Sequence, residues 1–446
     1  MDLIIRKGHI VDPSQGIDSV GDIVIEDGKI KKIITNNQGS KLKTRNYKSI
    51  DAAGLYILPG LVDMHVHLRE PGFEYKETIK TGTLAAVRGG FTSLCCMPNT
   101  KPVNDNETVT EFILRKAHAE GACHVFPIGA ITKEQRGEEL AEMGMMYEAG
   151  CVAFSDDGRP VMNSLLMRRA LEYSKRFSVS IISHAEDLNL SAGGVMNEGM
   201  VSLSLGLRGI PAEAEVIMIK RDIELVRLTG GRLHIAHVST AEGVRAIRMA
   251  KKEGLPVTAE TCPHYFTLTD EAVRGYRTTA KVNPPLRTLH DIETIKEGLS
   301  DGTIDVIATD HAPHHRDEKI CEFDRAAFGI SGLETALSLG LALVRDGVLS
   351  LSGLVEKMAL NPARILNLKK GTLKVGEDAD IIVVDLNRKW KVEPERFVSK
   401  GKNTPFEGFV LEGLPVYTIC KGSIYCLDKQ LADRRSIEMA GRLILL

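Results

Sequence analysis

Eight short apolar runs recur through the middle of the 446-residue chain, and longer stretches separate them. They are LPGLVDMHVH (58–67), FTSLCCMPN (91–99), CHVFPIGAI (123–131), CVAFSDDG (151–158), VSIISHAED (179–187), RLHIAHVS (232–239), PVTAETCPHYF (256–266) and TIDVIATDHAP (303–313). Intervening stretches such as Val109 to Glu120 and Ala241 to Glu253 carry helical spacing and good helix formers. Eight strand-then-helix units predict an α/β chain folded as a (β/α)8 TIM barrel. The chemistry of that fold sits at the C-terminal ends of the strands.

The two ends of the chain read differently. Residues 1–55 hold short strands joined by turns such as Asp27-Gly28, and the same texture returns in Gly376 to Asp385. A small β-sandwich domain built from residues 1–55 and 365–428 is therefore expected around a barrel spanning 56–364, with 429–446 left as an unplaced tail. Two long segments, Asn189 to Gly209 and Asn283 to Asp291, are candidates for a lid at the catalytic face.

What ends each strand points to the chemistry. In DMHVHLREPG (63–72), alternation along a strand would place His65, His67 and Arg69 on one face, with the intervening apolar residues on the other. The fourth run ends in Asp156 and Asp157, the fifth carries His184, the sixth His237 and the eighth Asp310. Five strands delivering imidazoles and carboxylates to one rim predict a metal site. Zn²⁺ suits that donor set best, with Mn²⁺ or Fe²⁺ as alternatives. The remaining histidines read as structural. His9, His118 and His290 lie away from strand ends, His124 opens its strand at the wrong end, and His234 sits deeper and on the opposite face from His237. His264 stays open between packing and a place behind the ligands.

Composition narrows the function classes. A formal charge of −2 and 5% aromatic residues supply neither a basic footprint nor base-stacking platforms, so no nucleic-acid partner is expected. No apolar stretch approaches the roughly 20 residues of a membrane helix, and the N-terminus lacks a signal-peptide pattern, so a cytoplasmic protein is expected. None of the eight cysteines forms a CxxC pair, which favours buried reduced thiols over disulfides or a thiolate metal site.

DMHVHLREPG and ATDHAPH (308–314) followed by Lys319 resemble the two signature segments of dihydroorotases, within the amidohydrolase superfamily. MPNTKPVND (97–105), FSDDG (154–158), ISHAED (182–187), IAHVST (235–240), NPPLR (283–287) and AFGISGLET (327–335) are similar to further segments of the class that includes many bacterial monofunctional enzymes. The resemblance implies one or two Zn²⁺ per subunit, one held by His65, His67 and Asp310, a second by His184 and His237, with Asp157 touching one or both. It implies that Arg69, Asn99 and His314 bind a substrate carboxylate, that Asn283 binds the ring, and that backbone groups near Phe328 and Gly329 close the pocket. The implied reaction is the reversible cyclisation of N-carbamoyl-L-aspartate to L-dihydroorotate with loss of water, in de novo pyrimidine (UMP) synthesis. Asp310 would be the catalytic acid and base.

The expected partner is a small-molecule substrate, in a homo-oligomer, with docking to an aspartate transcarbamoylase left open. Two rivals stand beside this reading. Hydantoinases and allantoinases share the paired histidines and the last aspartate, but lack the arginine two residues on and usually bridge their metals with a carboxylated lysine. Lys133 is the one lysine near the third and fourth strand ends that could serve, whereas Asp157 would bridge directly and Asp156 would hold structure. An inactive scaffold for a transcarbamoylase would have lost metal ligands, and here every ligand type is present.

Overall fold

The structure, a computed structural model, describes residues 2–35, 47–426 and 443–445. All eight expected strands form: Leu61–Val66, Phe91–Cys96, His124–Pro127, Phe154–Ser155, Ile181–Ser183, Leu233–Ile235, Val257–Thr261 and Val306–Ile307. The first three pair in parallel, as do the last five. Parallel bridges Gly129–Phe154 and Val66–His311 join the two arcs and close the ring.

A helix follows each strand: Ile79–Gly89, Glu107–Glu120, Met143–Ala149, Ser164–Ser174, Glu213–Thr229, Ala241–Lys252, Leu289–Ser300 and Ala336–Arg345. Ala241–Lys252 shows why such a segment is helical. Thr240 caps it by accepting from the Gly243 amide at 3.2 Å, which satisfies one otherwise orphaned donor. Val244, Ile247 and Ala250 recur on one buried face, and Gly254 at φ +76 ends the run. Burying Val244 and Ile247 stabilises the contact by roughly 1.5–3 kcal/mol each, so Ile247→Ala is the substitution that would loosen it most.

The barrel interior is filled by Met64, Cys95, Ile128, Ala153, Ile182, Ala236 and Ala308, drawn from seven of the eight strand units. The seventh strand instead sends in polar Thr258 and Glu260, which His234 joins with Nδ1 2.8 Å from Thr258 Oγ1 and Nε2 3.3 Å from Glu260 Oε2. His234 is therefore an interior hydrogen-bonding residue, not inert packing.

Both chain ends contribute to one nine-stranded sheet, as expected for the small domain. Its central order is Val410–Cys420, Ile381–Lys391, Tyr56–Pro59, Leu3–Asp12, Ile17–Glu26 and Lys29–Thr35. The far strand closes back on the start of the C-terminal half, where the Ile30 amide donates to the Glu377 carbonyl at 3.0 Å. The enclosed core takes Leu3, Ile5, Ile23 and Ile57 from one half and Ile381, Val383, Tyr417 and Ile419 from the other. Leu443–Leu445 adds a short parallel strand beside Ser423–Cys426, whereas the rest of the tail from 429 lies outside the described residues.

One boundary and one long segment need refining. The run 58–67 is two strands, because Tyr56–Pro59 pairs with Ile381–Lys391 in the small domain and the barrel begins at Leu61. Gly60 makes the crossing, where a Cβ would lie 2.2 Å from Thr92 Oγ1. The segment Asn189 to Gly209 is also not a free flap. Met196–Asn197 pairs with Gly209–Ile210, and Arg287 Nη1 donates to both Asn197 Oδ1 and the Ile210 carbonyl at 2.9 Å, tying the two lid candidates together.

Candidate active site and metal centre

A cleft of about 210 Å³ opens at the C-terminal ends of the strands, lined by His67, Arg69, Asn99, Asp157, His184, His237, Asn283, Asp310 and His314 with Phe328 and Gly329. His65 lies fully buried beneath it. Asp310 Oδ1 is 3.0 Å from His67 Nε2 and 3.6 Å from His65 Nε2. Asp157 stands at the centre. Its Oδ1 lies 3.3 Å from His65 Nε2 and 3.4 Å from both His184 Nδ1 and His237 Nε2, while Oδ2 lies 3.4 Å from His67 Nε2.

Backbone bends aim these side chains. Arg69, His237 and Asp310 adopt φ of +62, +35 and +45, a left-handed region that costs a non-glycine residue of order 1–3 kcal/mol and recurs at functional sites. The expected single row along the first strand is corrected here. The strand ends at Val66, and pairing shifts register between Asp63 and Val66. Met64 packs inside the barrel and Val66 outside, and Arg69 reaches the cleft through a turn instead of strand alternation.

The donor set fits a metal. His65, His67 and Asp310 offer three ligand atoms within 4.8 Å of one another, and His65, Asp157 and His237 form a second such group. His65 Nε2, Asp157 Oδ1 and His237 Nδ1 are buried without a hydrogen-bond partner, and buried polar atoms left in that condition call for an explanation such as an ion. Charge points the same way. Burial alone would depress the His184 imidazole, yet hydrogen bonds to Asp157 and Glu186 push it up to about 10, so the surrounding carboxylates demand positive charge.

Second partners hold the imidazoles in place. His65 Nδ1 lies 2.6 Å from Glu260 Oε1, His67 Nδ1 2.9 Å from Asn99 Oδ1, and His184 Nε2 2.9 Å from Glu186 Oε2. Each contact leaves the other ring nitrogen turned to the Asp157–Asp310 cluster. Glu186 also accepts from Asn283 Nδ2 at 2.9 Å.

Comparison with known proteins settles the family. The Dihydro-orotase-like family model matches residues 54–243. A dihydroorotase from Geobacter metallireducens is 57% identical over 424 residues, covering 95% of this chain and 99% of its own length. The chain belongs to the dihydroorotase family. Another member, from Acetivibrio thermocellus, is 55% identical over 430 residues, 96% of this chain and all of its own. Among solved structures, the L-hydantoinase (dihydropyrimidinase) of Arthrobacter aurescens superposes with a TM-score of 0.84 at 28% identity, over 95% of each chain. The dihydropyrimidinase of Brevibacillus agri gives 0.83 at 23% identity, over all of this chain and 98% of its own, a likeness of fold. The dihydroorotase family thus sits among cyclic amidohydrolases, a metal-dependent superfamily of enzymes that act on small molecules. No helix among the described residues is long and apolar enough to cross a membrane.

The geometry gathers every residue singled out for the dihydroorotase site into this one cleft or directly beneath it. Asn99 has two edges, one on His67 and one toward the cleft. His314 faces the cleft but is also engaged, with Nε2 2.8 Å from the Phe328 carbonyl, and burial pushes its pKa down to about 4. Asp156 turns away, accepting from the Ile131 amide at 2.8 Å and the Thr132 amide at 3.1 Å. Lys133 points outward to Glu139 at 3.3 Å and does not line the cleft. His264 is buried beside Tyr265, its Nε2 unpartnered, and burial pushes its pKa down to about 4. Sequence reading missed Glu260 and Glu186. A lone acid inside the apolar run PVTAETC was the available signal for the first.

Proposed function

We propose that the chain is a zinc-dependent dihydroorotase that interconverts N-carbamoyl-L-aspartate and L-dihydroorotate. The observation that carries this reading is a guanidinium, Arg69, in the same cleft as the His/Asp cluster. A substrate with one amide to make or break and one free carboxylate needs both. The 57% identity to a dihydroorotase over nearly the whole chain supports it.

In this reading His65, His67 and Asp310 would hold one Zn²⁺ and His184 and His237 a second, with Asp157 within reach of both groups. The bound ions would supply Lewis acidity and lower the pKa of water toward about 7. The residues do the rest. Arg69 offers a planar fork of donors for the carboxylate, beside Asn99 and His314. Asn283 and the backbone of Phe328 and Gly329 orient the ring. Asp310 takes a proton from water as oxygen adds to the ring carbonyl carbon, and delivers it to nitrogen as the C–N bond breaks. In cyclisation nitrogen attacks the carboxyl carbon, and Asp310 takes the proton that nitrogen loses and delivers it to the departing hydroxyl, which leaves as water.

Hydrolysis of other cyclic amides is the reading that the hydantoinase structures favour, at 28% identity. Purified protein with quantified zinc should turn over dihydroorotate and carbamoyl-aspartate, and leave hydantoin and allantoin essentially untouched. Faster turnover of hydantoin or allantoin would overturn the proposal.

A further inference from the structure

Two lysines are buried behind the cleft wall, and among the described residues neither meets a carboxylate. Lys281 Nζ donates to the carbonyls of Phe323 at 2.7 Å and Asp324 at 3.0 Å, and lies 4.4 Å from the centre of the Phe328 ring. Lys319 Nζ donates to the carbonyls of Ala327 at 2.6 Å, Thr278 at 3.1 Å and Lys281 at 3.3 Å. Every acceptor is a backbone carbonyl of 278–281 or 323–327.

Both segments lead into the lining of the cleft. The first runs into Asn283, and the second into Phe328 and Gly329. The Lys281 carbonyl accepts from the Gly329 amide at 2.9 Å as well as from Lys319. Thr278 Oγ1 donates to the Lys319 carbonyl at 2.6 Å, and the Ala327 amide to the Glu318 carbonyl at 3.0 Å. Gly329, at φ +130, packs so tightly that a Cβ would lie 2.7 Å from the Ala312 Cβ. Its position is therefore set by what holds its neighbours. Burying an ammonium is costly unless dipoles converge on it, and burial pushes Lys319 down to about 7 and Lys281 to about 8. An apolar side chain would fill the same space at less cost, so the charge needs a reason beyond packing.

We infer that Lys281 and Lys319 are positioning residues that clip the 323–329 segment to 278–283 and so set the gap between Asn283 and the Phe328–Gly329 backbone into which the substrate ring fits. The inference rests on the proposed dihydroorotase reading of that cleft.

The test uses the zinc-loaded full chain and Lys319→Ala. The expected result is a KM for dihydroorotate raised at least tenfold, kcat within about threefold, unchanged zinc content, and faster amide exchange across 323–329. Propylammonium, which replaces the atoms removed, should restore both KM and exchange protection, while propanol, neutral and of similar size, should not. Unchanged KM, or equal rescue by propanol, would overturn the clip and leave a packing role. If Lys319→Ala does not fold, Lys281→Met is judged on the same KM, zinc and exchange readouts. A wild-type enzyme inert toward dihydroorotate would defeat the functional reading instead. The clip would then stand or fall on exchange protection and its rescue alone.

Discussion

Glu260 Oε1 lies 2.6 Å from His65 Nδ1, and the other oxygen of the same carboxylate lies 3.3 Å from His234 Nε2. The carboxylate accepts the Nδ1 proton of His65, which leaves Nε2 with a lone pair directed at Asp157 and Asp310. Partners of this kind fix tautomer and ring orientation, and their loss typically costs 10–100-fold in metal affinity. Glu260→Ala should therefore weaken zinc binding by about 10–100-fold. Competition against a chelator of known affinity measures it, and an unchanged affinity would mean that His65 is oriented by something else.

Asp310, like Asp157, lies against both His65 and His67, and the proposed chemistry makes Asp310 the proton carrier as well. Asp310→Asn keeps an oxygen for a metal but cannot hold the transferred proton. A positioned acid or base is typically worth 10²–10⁴-fold, so kcat should fall by about that factor with zinc partly retained. Steady-state turnover beside metal analysis separates the two losses. Turnover close to wild type would remove Asp310 from that role.

Arg69 reaches the cleft without offering a metal-ligand atom, and its Nε donates to the Pro313 carbonyl at 3.3 Å. Its Nη2 stands 3.4 Å from His314 Nε2. Arg69→Ala should raise KM for dihydroorotate by an amount matching the loss of a charge-assisted hydrogen bond, about 1.5–3 kcal/mol. Zinc content should be unaltered. A loss of zinc equal to the loss of binding would place the arginine in support of the metal instead.

The barrel and the cluster of candidate ligands at its rim were legible because both depend on local pattern. Apolar runs mark the strands, and a strand that ends in histidine or aspartate can deliver it only to the rim. What escaped detection depends on contacts across the fold. Glu260 meets His65 from 195 positions away, and nothing in ETCPHY says which imidazole it serves. Alternation correctly grouped His65, His67 and Arg69 but by the wrong route, since a strand period carries no information past Val66, where φ at Arg69 turns positive. Lys319 was visible only as part of a signature. Its cage of carbonyls comes from segments 8 to 41 residues away.

Lys319 also gives stability a sign that can be checked. Burial, reinforced by the charge of Lys281, lowers its pKa from 10.5 to about 7. Between those values the unfolded chain binds more protons than the folded one, so this group's contribution makes stability rise with pH across that window. Below pH 7 the penalty of holding a buried ammonium is complete, on the order of 5 kcal/mol, and above about pH 10.5 it is gone. Losing the ammonium also leaves the carbonyls of Thr278, Lys281 and Ala327 without its donors, a cost that does not vary with pH. The stability of Lys319→Met relative to wild type should therefore be highest near pH 7 and fall as pH approaches 10. Urea midpoints of both proteins at fixed zinc, across that range, test the sign. A relative stability of the variant that rises with pH would contradict it.

Asp157 stands between the His65–His67–Asp310 group and the His184–His237 pair. Its oxygens lie 3.3–3.4 Å from His65, His67, His184 and His237, whereas Lys133 is turned out to Glu139 and substantially exposed. No lysine lines the cleft among the described residues. An aspartate carries its charge without added CO₂, so reconstitution with zinc should proceed equally in bicarbonate-free buffer. Asp157→Ala should abolish turnover, since removing it takes a central anion from four imidazoles at once. Lys133→Ala should leave zinc content and kcat within about twofold of wild type, because an exposed ion pair such as Lys133–Glu139 contributes only about 0–1 kcal/mol. A requirement for bicarbonate during reconstitution, or loss of zinc in Lys133→Ala, would overturn the assignment of Asp157 as the bridging group.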